Sequence, residues 1–335
     1  MVQQLTQRQT PCVHTLLPPK SLFFCSPPMA ALSLQKFTVT KTLPSSSTNN
    51  LRRPSLLPCS KTMATPVSAQ PSVWASINAD ITAYLRRTLT KREPLVVHEP
   101  MHDLVFAAPE TMAPALCIAA FELVGGARTE AVLAAASAIN LLRAAAYTHE
   151  HLPNLLERET PAAFRANIEL LTGDSISPLG FELLARSYGD GGGVEESERI
   201  RRVIVEVARA GGARGAVEGQ YKHVRWAKGS DGGEGDRLEM VKEVCRKKEG
   251  ALYACGGVCG AILGGAREEE IEKLRRFGLH VGTIYGLLYG AGKGERGALA
   301  AAREVAPLAL RELEGFEERK VGEISSLVDM ALGLL

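Results

Sequence analysis

From about Val73 to the C-terminus, apolar residues recur three or four positions apart, the period of helices with one buried face. Residues 73–88 (VWASINADITAYLRRT) follow this pattern and open the folded region. Residues 103–124 come after a His98-Glu99-Pro100 turn and carry Pro114 near the start of their apolar part. In residues 129–148 (TEAVLAAASAINLLRAAAYT), Arg143 is the one full charge after Glu130, which predicts a helix buried on most sides. Residues 196–210 return to an amphipathic pattern and stop on Gly211-Gly212. Segments 236–249, 251–263, 268–290, 296–304, 306–319 and 322–335 continue as helices. Two glycine-rich breaks, Gly189–Gly193 and Gly229–Gly235, are predicted loops. LVVH at 95–98 is a lone β-like run, and one strand cannot build a sheet. The pattern predicts a single all-α domain over residues 71–335.

Composition changes this picture mainly at the N-terminus. Residues 1–79 contain no Asp or Glu, yet they hold Arg8, Lys20, Lys36, Lys41, Arg52, Arg53 and Lys61 among many serines, threonines and prolines. An acid-free, basic, Ser-rich leader marks a disordered organelle transit peptide, expected over 1–70 with cleavage near 60–75. Met29-Ala30-Ala31 is like a plastid-type start, which leaves translation open between Met1 and Met29. The net charge of +2 gives no reason to expect nucleic acid as a partner. No run of 18 apolar residues lacks a charge, so no transmembrane segment is expected. Cys12, Cys25 and Cys59 leave with the leader; Cys117, Cys245, Cys255 and Cys259 remain and do not form a disulfide framework.

Five blocks then stand in a telling order: PALCIAAFELVGG (114–126), THEHLP (148–153), LTGDSISPLGFELLA (171–185), EGQYKH (218–223) and LRRFGLHVGTIYGLLYG (274–290). Together they resemble the isoprenyl diphosphate synthase, or trans-prenyltransferase, family over about residues 75–335. The resemblance implies an isoprenoid synthase-type orthogonal helical bundle that dimerises through helix faces. In that family two aspartate-rich clusters hold Mg²⁺ on an allylic diphosphate, and hard oxygen ligands are what Mg²⁺ requires. Here the first pair of aspartates is matched by Glu150 and His151 and the later one by Leu156. Tyr289 and Gly290 match the second pair, with Lys293 near its third position. The basic stretch before the first block has become Glu110-Thr111-Met112-Ala113-Pro114, and the diphosphate-binding Lys-Thr pair reads Lys248-Glu249. Arg158 matches an Arg after the first motif and is the one residual diphosphate contact expected.

Losing one electrostatic contact typically costs ~10²–10³ in rate, and four stations are lost together. The resemblance therefore implies no catalytic residue, no metal site and no cofactor of its own. It points instead to the family's non-catalytic regulatory small subunits. These bind a geranylgeranyl diphosphate synthase large subunit in the plastid, forming a heterodimer in which Mg²⁺ belongs to the catalytic partner. Rival readings are a weak atypical synthase using Glu150 and an isoprenoid-binding carrier.

Such small subunits carry two CxxxC motifs at the partner contact. One is complete here, Cys255-Gly256-Gly257-Val258-Cys259; the other reads Cys117-Ile118-Ala119-Ala120-Phe121. On a helix the i and i+4 thiols share a face, which fits internal core packing as well as an interface. His149 and His151 lie two apart, on opposite sides of a helix, and cannot share one ion. Tyr285 and Tyr289 have spacing suited to a core role or to plugging an emptied site. The runs Arg246-Lys247-Lys248 and Glu268-Glu269-Glu270 read as solvated helix ends.

Overall fold

The structure, a computed structural model, describes residues 72–156, 160–188, 193–227 and 234–334; at 152–156, 160–166, 227, 234–236 and 319 it describes backbone alone. The expected leader and most of the two glycine-rich breaks lie outside the described residues. Twelve α-helices and one π-helical turn account for the described fold, and no strand occurs among the described residues.

The helices are α1 (Val73–Thr88), α2 (Leu95–Ala107), α3 (Ala113–Leu123), α4 (Glu130–Leu156), α5 (Thr160–Arg186) and α6 (Val194–Gly211). After them come α7 (Ala216–Ala227), α8 (Glu234–Cys245), α9 (Ala251–Leu263), α10 (Glu268–Tyr289), α11 (Ala298–Arg311) and α12 (Glu318–Leu332). The centre is built by α3, α4, α9 and α10, with α5 along α4, α6 across α9, and α11 and α12 outside α10. In α9 every residue from Leu252 to Leu263 is buried, and α3 is buried from Ala113 to Phe121. Their small side chains let the two backbones meet: a Cβ on Gly260 would collide with the Cys117 carbonyl oxygen, and one on Gly256 with that of Ala113. The ends of the domain are tied together, because the Trp74 indole N–H donates to Ser326 Oγ of α12 at 2.9 Å.

Several elements differ from the sequence pattern. The LVVH run is the first turn of α2, where Pro94 is the N-cap and the Glu93 carboxylate accepts from Leu95 N–H at 3.2 Å. With no strand beside it, β propensity gives way to the packing of Met101 and Val105, one turn apart on the buried face. Pro100 lies inside that helix rather than in a turn, and the segment read as 103–124 splits at Ala108–Met112. The predicted break between 304 and 306 is absent. α11 runs through Pro307 because Ala302, Ala306 and Ala309 keep one buried face. Finally, α8 and α9 are joined without a break by a π-helical turn, Arg246–Gly250.

Glu130–His151 is long and apolar enough to cross a bilayer by length and composition, although the charge-based expectation set no such segment. Its most apolar window is 72% buried inside the bundle, so this stretch of α4 serves as a core helix.

Candidate functional site

The degenerate first motif lies on α4, which also continues past the predicted end at 148 and through Pro153. Glu150 faces α7 and the π-helical turn. There Lys248 Nζ lies 3.0 Å from Glu150 Oε1, with only 8% and 20% of the two side chains exposed. The same ammonium donates to Gln220 Oε1 at 3.0 Å and meets His223 Nδ1 at 3.4 Å. Three N–H donors therefore face three acceptors, which satisfies a lysine removed from water. Burial, and then the neighbouring Lys248 charge, push His223 below the ordinary histidine range, so its ring stays neutral and Nδ1 accepts. The charge run put Lys248 on a solvated helix end, whereas its match to the family's Lys-Thr pair put it at the site, which is where the fold places it. It is turned inward by the π-helical turn, whose extra residue shifts the phase of every side chain after it. Glu268–Glu270, by contrast, do form the first turn of α10, with Glu268 and Glu269 exposed and Glu270 half-buried.

The next residue, Glu249, lies against α10. Its Oε2 is sealed from solvent and accepts no hydrogen bond. Burial raises its pKa above the usual carboxylate range; Lys248 and Arg143 oppose that rise and Glu150 adds to it. A Cβ on Gly290 would stand 2.7 Å from Glu249 Oε1. The glycine at a second-motif position therefore makes the room that this carboxylate occupies.

These groups do not fit a bound Mg²⁺. Among the described residues no three His, Cys, Asp or Glu side chains come together as a ligand set. Glu150 already pairs with an ammonium, while Mg²⁺ demands near-octahedral oxygen ligation. His149 Nε2 lies 3.2 Å from Asp174 Oδ1 on α5, whereas the His151 ring packs back on Tyr147 with its Nδ1 2.8 Å from that residue's carbonyl oxygen. The two histidines thus point to different places. Leu156 ends α4 with its side chain outside the described residues, and Arg158 lies outside them altogether.

Tyr285 and Tyr289 do not plug the space beside Glu150. Their rings stand 5.2 Å apart and, with Tyr253 and Met112, line a different cavity, of about 280 Å³, next to α12. Tyr285 Oη donates to the Glu110 carbonyl oxygen at 3.4 Å, and Tyr289 is 46% exposed. The space beside Glu150 remains open as a cleft of about 440 Å³ between α4, α5, α6 and α7.

The cysteine motifs lie elsewhere, in the core between α3 and α9. Cys255 Sγ and Cys259 Sγ are 3.7 Å apart, and Cys117, Cys259 and Phe121 are buried with them. Burial raises the Cys117 thiol well above its ordinary pKa; contact with Cys255, and then burial, does the same for Cys259. Within this chain these sulfurs are enclosed by its own helices.

No protein-family model matches the chain. It is 47% identical over 266 residues to the chloroplastic small subunit 2 of heterodimeric geranylgeranyl pyrophosphate synthase of Cannabis sativa, covering 77% of this chain and 90% of that one. It superposes on the Antirrhinum majus geranyl diphosphate synthase small subunit with a TM-score of 0.67 and 47% identity, covering 76% of this chain and 97% of the other. A chain of the mint heterotetrameric geranyl pyrophosphate synthase, a deletion mutant with ligands, gives 0.67 and 46%, with 76% and 98% covered. With identity this high along nearly the whole of those relatives, and a bundle in which the motif positions hold an internal ion pair, the chain belongs to the small subunits of heterodimeric geranylgeranyl pyrophosphate synthases, within the isoprenoid synthase fold.

Proposed function

We propose that this protein is a non-catalytic regulatory subunit that pairs with a geranylgeranyl diphosphate synthase large subunit in the plastid and alters its activity and product profile. The observation that carries the reading is the Lys248–Glu150 pair: the motif carboxylate is held by the chain's own cation. Mg²⁺ and both substrates then belong to the large subunit, and this chain brings no cofactor. The family relation supplies the partner class, and the chloroplastic relatives supply the compartment. Within this reading Cys117, Phe121, Cys255 and Cys259 act on the partner contact indirectly, by setting how closely α3 and α9 approach.

The test is a product profile at fixed large-subunit concentration while this chain is titrated to saturation. The expected result is no turnover by this chain alone, co-purification with the large subunit, and a changed ratio of ten- to twenty-carbon diphosphate. An identical ratio and rate at every point would remove the regulatory reading. Fusion of residues 1–75 to a fluorescent reporter checks the compartment, which a cytosolic reporter would contradict.

A further inference from the structure

A small polar cavity lies where Glu110 has replaced a basic position. It measures about 170 Å³ and sits between α1, α2, the linker to α3, and α4. Asn78, Thr82 and Arg86, at i, i+4 and i+8, turn one face of α1 toward it. Glu110 and Thr111 of the linker and Asn140 of α4 complete its polar lining.

The two charges are held in place but not paired. The Arg86 guanidinium stacks on the Phe106 ring, 4.8 Å from the centroid, which fixes its plane and leaves its N–H edge open. The Glu110 backbone is anchored by the hydrogen bond that its carbonyl oxygen accepts from Tyr285 Oη, while its side chain stays exposed. Among the described residues neither Arg86 nor Glu110 forms an ion pair. Thr82 and Asn140 are half-buried and make no side-chain hydrogen bond among the described residues, and Asn78 Nδ2 reaches only Met112 Sδ, at 3.5 Å. Uncommitted hydroxyl and amide groups suit a polar solute. Arg143, one turn along α4 from Asn140, packs over the Tyr147 ring instead and does not line the cavity.

Charge and size select the solute. A diphosphate would face Glu110 with one cation to offset several negative charges. A molecule with one positive and one negative end matches both groups. At about 30 Å³ for each water-sized group, 170 Å³ holds roughly six heavy atoms.

We propose that this cavity binds a small zwitterion, a free amino acid of about six heavy atoms, with its carboxylate on Arg86, its ammonium on Glu110 and its body against Asn78, Thr82 and Asn140. The site shares no lining residue with the cleft beside Glu150 and requires no second subunit. α-, β- and γ-amino acids share this chemistry and differ in the span between their charges, which the experiment separates.

The test is equilibrium dialysis of the full chain with alanine, β-alanine and γ-aminobutyrate, beside propionate and propylamine. At least one zwitterion should bind tenfold or more tightly than both single-charge analogues, and the tightest identifies the span. Binding of none, or a preference below tenfold, overturns the proposal. Arg86→Gln should lower zwitterion affinity at least tenfold. Glu110→Gln should do the same and bring propionate level with the zwitterion, because the repulsion of its carboxylate is gone. Both positions are exposed, and thermal melting checks that the variants fold. Affinity unchanged in either variant puts binding elsewhere and overturns the site. Capture of the large subunit, measured on the same preparation, tests the pairing alone.

Discussion

Lys248 Nζ stands 3.0 Å from Glu150 Oε1 and ties the C-terminal half of α4 to the π-helical turn between α8 and α9. The pair does in one chain what a metal does between two carboxylate clusters, neutralising the charge that α4 presents to the cleft. It is nearly enclosed, so removing one partner strands the other. Lys248→Met should therefore lower unfolding free energy by ~3 kcal/mol. Glu150→Gln should cost less, about 1 kcal/mol, since the amide oxygen still accepts from Lys248. The double variant should cost less than the sum. Urea denaturation of all four proteins measures this, and strict additivity would mean that the pair is not coupled.

Glu249 gives stability a pH dependence of defined sign. Burial raises its folded pKa above the ordinary value of 4.5, despite Lys248 and Arg143. The folded state then holds this proton more tightly than the unfolded state. The resulting stabilisation is complete below pH 4.5 and is lost as pH rises through the raised folded value. Glu249→Gln removes the titration. Its advantage over the parent should widen with rising pH, by at most ~1.4 kcal/mol per pH unit. Urea midpoints from pH 4.5 to 8 provide the measurement, and a constant difference would refute it.

The glycines and cysteines of α9 control how closely it packs on α3. Gly260→Ala should destabilise the fold by ~1–3 kcal/mol, because its Cβ meets the backbone of α3 and backbone cannot move aside cheaply. Cys255→Leu with Cys259→Leu overpacks the same buried seam. Folding stability should fall in that variant, and large-subunit capture should weaken only as the α3–α9 spacing changes. Thermal melting beside pull-down separates the two effects. Full stability with lost capture would instead put the thiols in direct contact with the partner.

Restoring aspartates at the first motif should not create a synthase. In Glu150→Asp with His151→Asp, Lys248 still faces the first carboxylate, and Tyr289 and Gly290 still offer no opposing ligands. Mg²⁺-dependent diphosphate release by the purified variant should stay at background. Measurable turnover would show that the second motif is dispensable.

Most helices were legible in the sequence because period and stop signals are local. The buried stretch of α4, the Gly211-Gly212 stop after α6 and the acidic start of α10 are all written in consecutive residues. Replacement of the motif aspartates was equally plain, since it depends only on which residue stands at each matched place. LVVH and the segments around Pro307 misled because strand or helix at those points depends on what packs against them.

Lys248 carried two readings in the sequence, a solvated helix end by its charge run and a diphosphate station by its matched position, and only the tertiary structure chose between them. In an ordinary α-helix the run Arg246-Lys247-Lys248 reads as a solvated end, and no local pattern announces the π-helical turn that rotates Lys248 and Glu249 inward. The cysteines posed a different problem. α9 is apolar on every side, so period alone could not say which neighbours surround its CxxxC face; the packed bundle buries both thiols and brings the α9 backbone against α3 at Gly256 and Gly260. Composition and order thus established the family resemblance and the missing ligands, which are properties of single positions. Which side chains fill the space those ligands left is a property of distances between segments far apart in sequence, and only the packed bundle determines them.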